Sequence, residues 1–384
     1  MQLYARPRGG GEAMTTATQS KALAYRTDVV GSLLRPPELK EARDALDRGE
    51  LAPDAFKRIE DLAVDEAIRV QEEAGLDVIT DGEQRRSSFY GHFVDALEGL
   101  DAEGGWGVRF RNDSGDELLL RRPVVVEPLR WKRSMCAEEW AFLRARARKP
   151  GKVTIINVMQ AASYYDPKQS AGAYGTRDAF LADVVSLLRK EIDELIRLGC
   201  AYIQLDGPAY GSLVDERMRQ GYRDRGADPD RLLDEAIELD NAVIAGYSGV
   251  TFALHICRGN NQSHYYASGG YEPIVRVLER TTFQRFMLEY DTERSGGFEP
   301  LRHLPDDRVA VLGLITTKQP VLESADAVKA RLAEASRHLP LERLALSTQC
   351  GFASTMEGNQ LSFEDQRRKL DLVVRVAREV WSTL

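Results

Sequence analysis

His255 and Cys257 lie two residues apart in "LHICRGNNQSH", directly behind the apolar run "VTFAL". A period of two puts both side chains on one side of an extended strand. An imidazole and a thiol so placed are either a half-buried packing pair or two ligands of a metal ion. The dipeptide spacing alone does not separate these, because a free cysteine is commonly just buried. Two more groups bear on the choice. Glu289 stands near the end of "RFMLEYD" and Cys350 ends "RLALSTQC". Two thiolates, an imidazole and a carboxylate form a set of zinc ligands, of which a tetrahedral site takes four. Other reactive groups fall in matching places. Asp81 and Glu83 end "LDVITDGE", Asp206 ends the strand part of "AYIQLDGP", and Gly31-Ser32 ends "TDVVGS".

Positions this far apart converge only if the elements carrying them point the same way. The four runs just named that begin at Thr27, Leu76, Ala201 and Val250 are joined by "VTIIN", "RFMLEYD", "VAVLGLI" and "RLALSTQC". They are continuously apolar and β-branched, which implies burial on both faces and hence a parallel sheet covered by helices. Between them lie amphipathic stretches such as "DAFLADVVSLLRKEIDELIRLG", ending at Gly199, and "ESADAVKARLAEASRHLP", ending before Pro340. Eight β-then-α units predict a (β/α)8 TIM barrel, with an open doubly wound sheet as the alternative. In such a barrel function collects at the C-terminal strand ends. The segment 89–150 breaks the rhythm. Its "GVRFRNDSGDELLLRRPVVVEPLRW" reads as strands around the turn Asn112–Gly115, so an insertion after strand two is expected over the barrel mouth. The expected division is a loose extension over 1–24, with Met14 as another start, and a single barrel over 25–384.

Composition narrows the class. A chain of 384 residues, 43% hydrophobic, can bury a large core. A net charge of -8 argues against binding nucleic acid or an anionic membrane. No run is long enough to span a bilayer, and the first residues lack the apolar stretch of a secretory signal. Four cysteines do not make a disulfide scaffold, and a reducing cytoplasm fits them. Cys200 starts its strand, at the opposite end from the others, and Cys136 opens a helix in the insertion; neither is given a role. Plainer readings stand beside the functional ones. Asp206 could cap a helix, Glu83 could pair with Arg85 or Arg86, Arg258 and Lys318 could be solvated, and His264, His303 and His338 read as surface residues.

The motifs "VVGSLLRP", "DVITDGEQRRSSF", "IQLDGPAY", "LHICRGN", "MLEYD" and "STQCGFAS" together resemble the catalytic barrel of cobalamin-independent methionine synthase, from about Thr27 onward. The resemblance implies zinc held by His255, Cys257, Glu289 and Cys350. It implies a zinc-bound substrate thiol that attacks an electrophilic carbon as thiolate. It also implies that Glu83 and Asp206 grip the ammonium of homocysteine and that Gly31-Ser32 hold its carboxylate. Three departures matter. The family reads Asp-Glu-Pro where this chain has Asp206-Gly207-Pro208. The family histidine that protonates a leaving folate is absent from "GLITTKQP". Its full-length members also carry a second, N-terminal barrel, for which this chain has no room.

The expected activity is therefore zinc-dependent methyl transfer to a small thiol, most simply homocysteine, with the methyl or alkyl donor open and homo-oligomerisation open. The alternative is chemistry like that of epoxyalkane–coenzyme M transferase, in which Arg258, Arg85, Arg86 or Lys318 would hold a sulfonate. A second alternative is a binding protein with a closed, structural zinc.

Overall fold

The computed structural model describes residues 25–382, so the expected extension over 1–24 lies outside the described residues. Four strands come before the main sheet. β1 (Leu97–Asp101) pairs antiparallel with β4 (Val124–Trp131), and β2 (Gly107–Arg111) forms a hairpin with β3 (Glu117–Arg121). Then β5 (Val153–Ile156), β6 (Tyr202–Asp206), β7 (Thr251–Ile256), β8 (Arg285–Glu289), β9 (Val309–Ile315) and β10 (Leu344–Thr348) line up in sequence order, every neighbour parallel. All six are buried along their whole length, as continuous apolar strands under helices must be.

The first two barrel segments do not form regular strands. Thr27 makes a single parallel bridge to Leu346, and Ile79 one to Gly151, so the ring still closes from β10 round to β5. Side chains take over the ladder here. Asp77 accepts from the backbone N–H groups of Arg26 and Thr27 at 2.8 and 2.9 Å. Gln204 donates to the carbonyl of Val30 at 2.7 Å, and Thr80 to that of Gly31 at 2.7 Å. Backbone groups committed in this way satisfy the need for partners without extended pairing. With this closure the fold is a (β/α)8 TIM barrel.

The helices obey local rules. Pro53–Ala74 starts on a proline and stops at Gly75, whose φ of 91° ends the last turn. Thr176 caps Arg177–Arg197, and Ser362 with Asp365 forms a capping box on Phe363–Trp381. One expected unit is different. Between β8 and β9 there is no α-helix, only the 3₁₀ turns Glu293–Ser295 and Glu299–His303. Between the second and third barrel segments lie a short helix (Gly91–Ala96), β1 to β4 and the helix Ala137–Arg146. No helix among the described residues is long and apolar enough to cross a membrane.

The barrel interior carries a buried polar column. Lys152 and Asp28 are both wholly buried and pair at 2.7 Å. Lys152 also donates to the Val29 carbonyl, and to Gln204 at 2.6 Å. Gln204 then donates to Asp206 at 2.7 Å. A closed hydrogen-bond set of this kind keeps buried charge tolerable. It also aims Asp206 from below.

Candidate metal centre and substrate pocket

Alternation along β7 brings His255 to the barrel interior, and Cys257 follows one residue past the strand end. Cys350 arrives from the loop after β10. One ligand atom from each lies within 4.8 Å of the others, and all three residues are buried. The Cys350 sulfur is 3.6 Å from His255 Nε2. Metal–sulfur and metal–nitrogen bonds of tetrahedral zinc put neighbouring ligand atoms about 3.5 Å apart, so the trio has the right span for a soft cation. His255 is oriented by its other nitrogen, 3.1 Å from the Met287 carbonyl, which leaves Nε2 for the sulfurs. The backbone N–H of Gly259 lies 3.4 Å from the Cys257 sulfur.

The electrostatics favour a thiolate here. A hydrogen bond from Cys350 pulls the Cys257 thiol well below its ordinary pKa; burial opposes this, and His255 adds to it. The same hydrogen bond, with burial, pushes Cys350 up. Burial pushes His255 down, but the neighbouring Cys257 outweighs it and the net direction is upward. The shared hydrogen bond thus sets the two thiols apart, with Cys257 the readier of the pair to lose its proton.

Two acids face the same space. Asp206 sits in register beside His255 on adjacent strands. Burial raises its carboxyl to about 7. Glu83 has a φ of 53°, in the left-handed region that non-glycine residues rarely occupy. Such a conformation persists only where the surroundings demand it, and it is concentrated at functional sites. Glu83 Oε1 accepts from the Thr154 hydroxyl at 2.8 Å and lies 3.7 Å from Arg86. Arg86 is itself anchored on Glu139 at 2.6 Å. Glu83 Oε2 is buried and has no hydrogen-bond partner among the described residues. Gly31 makes room for this carboxylate, since a Cβ there would stand 2.4 Å from Oε1.

The pocket is open to solvent, and its atom-free space, open solvent included, is about 760 Å³. Its floor is the trio with Ser32, Glu83 and Asp206; its upper walls are Phe89, Tyr90, Phe110, Leu120 and Tyr266. The β2–β3 hairpin covers the mouth. Arg111 and Tyr265 exchange backbone hydrogen bonds at 2.7 and 2.8 Å, and Phe110 meets Tyr266 edge to face at 5.4 Å. The segment that breaks the barrel rhythm is therefore docked on the loop that follows Cys257.

Glu289 and Arg258 are placed differently from the sequence expectation. Glu289 is fully buried at the end of β8 but is not part of the compact trio. Its oxygens accept from Arg294, at 2.8 Å, and from the Arg258 N–H, at 2.7 Å. Lys318, Arg294 and Arg258 overcome the effect of burial and hold its carboxyl at about 2. Arg258 is not on the pocket wall. Its guanidinium is fully buried, donates to the Gly269 carbonyl at 2.6 and 2.9 Å and lies on the Tyr271 ring, away from the pocket, with Nη1 unpartnered among the described residues. Arg85, Arg86 and Lys318 are not on the wall either. Arg85 is taken by Glu60 and Asp61. The wall cation is Arg122, which sequence reading did not single out. It lies over the Trp106 ring and has no ion-pair partner among the described residues. Its signal was faint: one arginine at the end of a hairpin, far in sequence from every motif. Cys136 packs 3.4 Å from Arg86, and Cys200 lies before β6, at the other end of the barrel.

Cysteines, a histidine and acids thus gather at the C-terminal mouth of a (β/α)8 barrel, and the comparisons give the family. Residues 25–379 match the family described as cobalamin-independent synthase, catalytic domain, and the chain belongs to it. It is 36% identical to the Bacillus subtilis (strain 168) protein YxjH, over 95% of this chain and 97% of that protein. It is 25% identical to the methionine synthase of Pyrococcus abyssi, over 85% of each. The B12-independent methionine synthase structure from Shewanella sp. W3-18-1 superposes with a TM-score of 0.71 at 22% identity, covering 94% of this chain and 98% of that one, and shares its fold.

Proposed function

We propose that this protein is a zinc-dependent S-alkyltransferase that forms methionine from homocysteine. The observation that carries the reading is one pocket floor holding two thiols, an imidazole and two inward-facing acids. Membership in a family with relatives named methionine synthase supports it. Zinc would be held by His255, Cys257 and Cys350, and when bound it lowers the pKa of a substrate thiol so that a thiolate persists at neutral pH. The set has three close protein donors under an accessible pocket, which favours an exchangeable place over a closed structural site. Glu83 Oε2 and Asp206 take the substrate ammonium. Ser32, whose hydroxyl accepts from the Ala353 N–H at 3.3 Å, lies where the carboxylate would rest. The apolar upper wall excludes water from the reacting carbon. In the reaction a carbon–sulfur bond forms, the bond from that carbon to the donor breaks, and the donor leaves with the electron pair. The protein acts in the reducing cytoplasm that its free thiols suit.

The coenzyme M reading has Arg122 in its favour, as a lone cation for a sulfonate. Two acids near the thiol site argue against it, since they repel a sulfonate and attract an ammonium.

Recognition is tested with zinc-loaded protein, homocysteine and coenzyme M, by following proton release and binding heat. Homocysteine should bind with release of its thiol proton. Glu83→Gln and Asp206→Asn each remove a charge-assisted hydrogen bond worth about 1.5–3 kcal/mol, so each should weaken affinity about tenfold or more. Gly31→Ala should do the same through displacement of the Glu83 carboxylate, with the fold intact. Because Asp206 must be ionised to pair with an ammonium, affinity should also fall as pH drops below about 7, and Asp206→Asn should flatten that trend. Tighter binding of coenzyme M, insensitive to both acids, would replace this reading with the epoxide one.

A further inference from the structure

The residues after Ile256 and Leu288, which are paired in register, are Cys257 and Glu289. Glu289 thus stands next to the trio but is turned into a cluster of donors. Oε1 accepts from Arg294 Nη2 at 2.8 Å; Oε2 accepts from the Arg258 N–H at 2.7 Å and from Gln349 at 3.2 Å. Arg294 has more around it than is needed to hold one carboxylate. Its Nη2 also lies 3.5 Å from Asp291 Oδ1. Both Asp291 oxygens are buried and have no hydrogen-bond partner among the described residues. The Arg294 guanidinium rests on the Tyr265 ring, 4.2 Å from its centroid. Tyr265 is the residue whose backbone pairs with Arg111 of the covering hairpin.

A buried carboxylate with spare acceptors, within reach of a shared guanidinium, is a second resting place. Arg294 can release Glu289 without leaving a buried cation unpaired, which would otherwise be costly. Glu289 in turn is a carboxylate beside a three-donor set that zinc completes to four. We propose that Arg294 is a positioning residue that moves between Glu289 and Asp291, and so sets whether Glu289 stands outside or inside the metal's ligand set. This rests on the zinc reading above. With Arg294 on Glu289, as seen, the fourth place is left to the substrate thiol. With Arg294 on Asp291, Glu289 is released to close the set. The docked hairpin, through Tyr265, favours the open arrangement.

The two partners of Arg294 give variants of opposite sign. Arg294→Met removes the cradle that keeps Glu289 out. Zinc should then be lost to a chelator about tenfold more slowly, and homocysteine should bind about tenfold more weakly, the scale of one charge-assisted hydrogen bond. Asp291→Asn commits Arg294 to Glu289, so zinc should leave faster and thiol affinity should hold or rise. Cobalt(II)-substituted protein gives a readout independent of turnover. Without thiol, Arg294→Met should show the visible bands of a closed four-coordinate site, and adding Glu289→Gln should abolish that change. Should Arg294→Met fail to fold, Tyr265→Ala loosens the same guanidinium and should shift both measurements in the Arg294→Met direction by about threefold. Shifts of the same sign in the Arg294 and Asp291 variants, or no shift in folded Arg294→Met or Tyr265→Ala that still binds zinc, would overturn the proposal alone. Failure of the unaltered protein to bind zinc would overturn both it and the reading beneath it.

Discussion

Cys257→Ala and Cys350→Ala are each expected to remove the metal and the activity together. Either change leaves two of the three close donors, and both sulfurs are the soft ligands that favour zinc over harder cations. Disturbing only the groups that orient a ligand typically costs 10–100-fold in metal affinity, so deleting a ligand should cost more than about 10²-fold. The unaltered protein should hold close to one zinc per chain after dialysis. Each variant should hold little, with an unchanged far-ultraviolet spectrum, since the core clusters around the barrel remain. Cys200→Ala is the control: that thiol lies before β6, away from the mouth, and its loss should leave metal content untouched. The pH dependence has a defined sign. Cys350 is pushed up, so a proton must leave when a cation binds, and zinc affinity should fall as pH falls. Stoichiometric zinc in the double variant would refute the site as drawn.

The second large effect concerns the donor. A folate leaves poorly as an anion, so transfer from it needs a proton, and a general acid typically contributes 10²–10⁴-fold. The segment "GLITTKQP" supplies no histidine. Thr317 is buried and donates to Gln349 at 2.9 Å. Lys318, His264 and Asp291 are all absent from the pocket wall. Asp206 is on the wall with a carboxyl near 7, but pairing with the substrate ammonium would hold it ionised. Methylcobalamin releases a leaving group that needs no proton. Methionine should therefore form about 10²-fold or more faster from methylcobalamin than from methyltetrahydrofolate at equal concentration. Efficient turnover of the folate would sink this argument and turn attention to Asp206 as the acid. Turnover of neither, with consumption of an epoxide and coenzyme M, would favour the sulfonate chemistry.

The regular half of the barrel was legible because β5 to β10 are buried on both faces and leave an unbroken apolar record. Segments 27–31 and 77–80 were legible as positions but not as their actual form. Their ladder is replaced by Asp77, Thr80 and Gln204, and no hydrophobic period encodes such substitutions. His255 and Cys257 could be placed together from alternation alone. Arg258 follows Cys257 and turns the other way, towards Gly269 and Tyr271, so nearness in sequence misled. Glu289 was found at the right strand end, yet spacing cannot say which of several partners a carboxylate will take. Arg122 was missed because it reaches the pocket from the hairpin segment and has no motif to mark it.

The ring is sealed where Thr27 meets Leu346, a contact between the first barrel segment and the last barrel strand. Cys350 lies just beyond that seam, and His255 is 95 residues earlier. Contacts this distant in sequence form late, because a long loop must be closed before they contribute. A nascent chain still lacking its last strand has an imidazole and one thiol, and nothing to complete them. Maturation of this site is thus tied to β10: the three donors stand together only once that strand has docked beside segment 27–31.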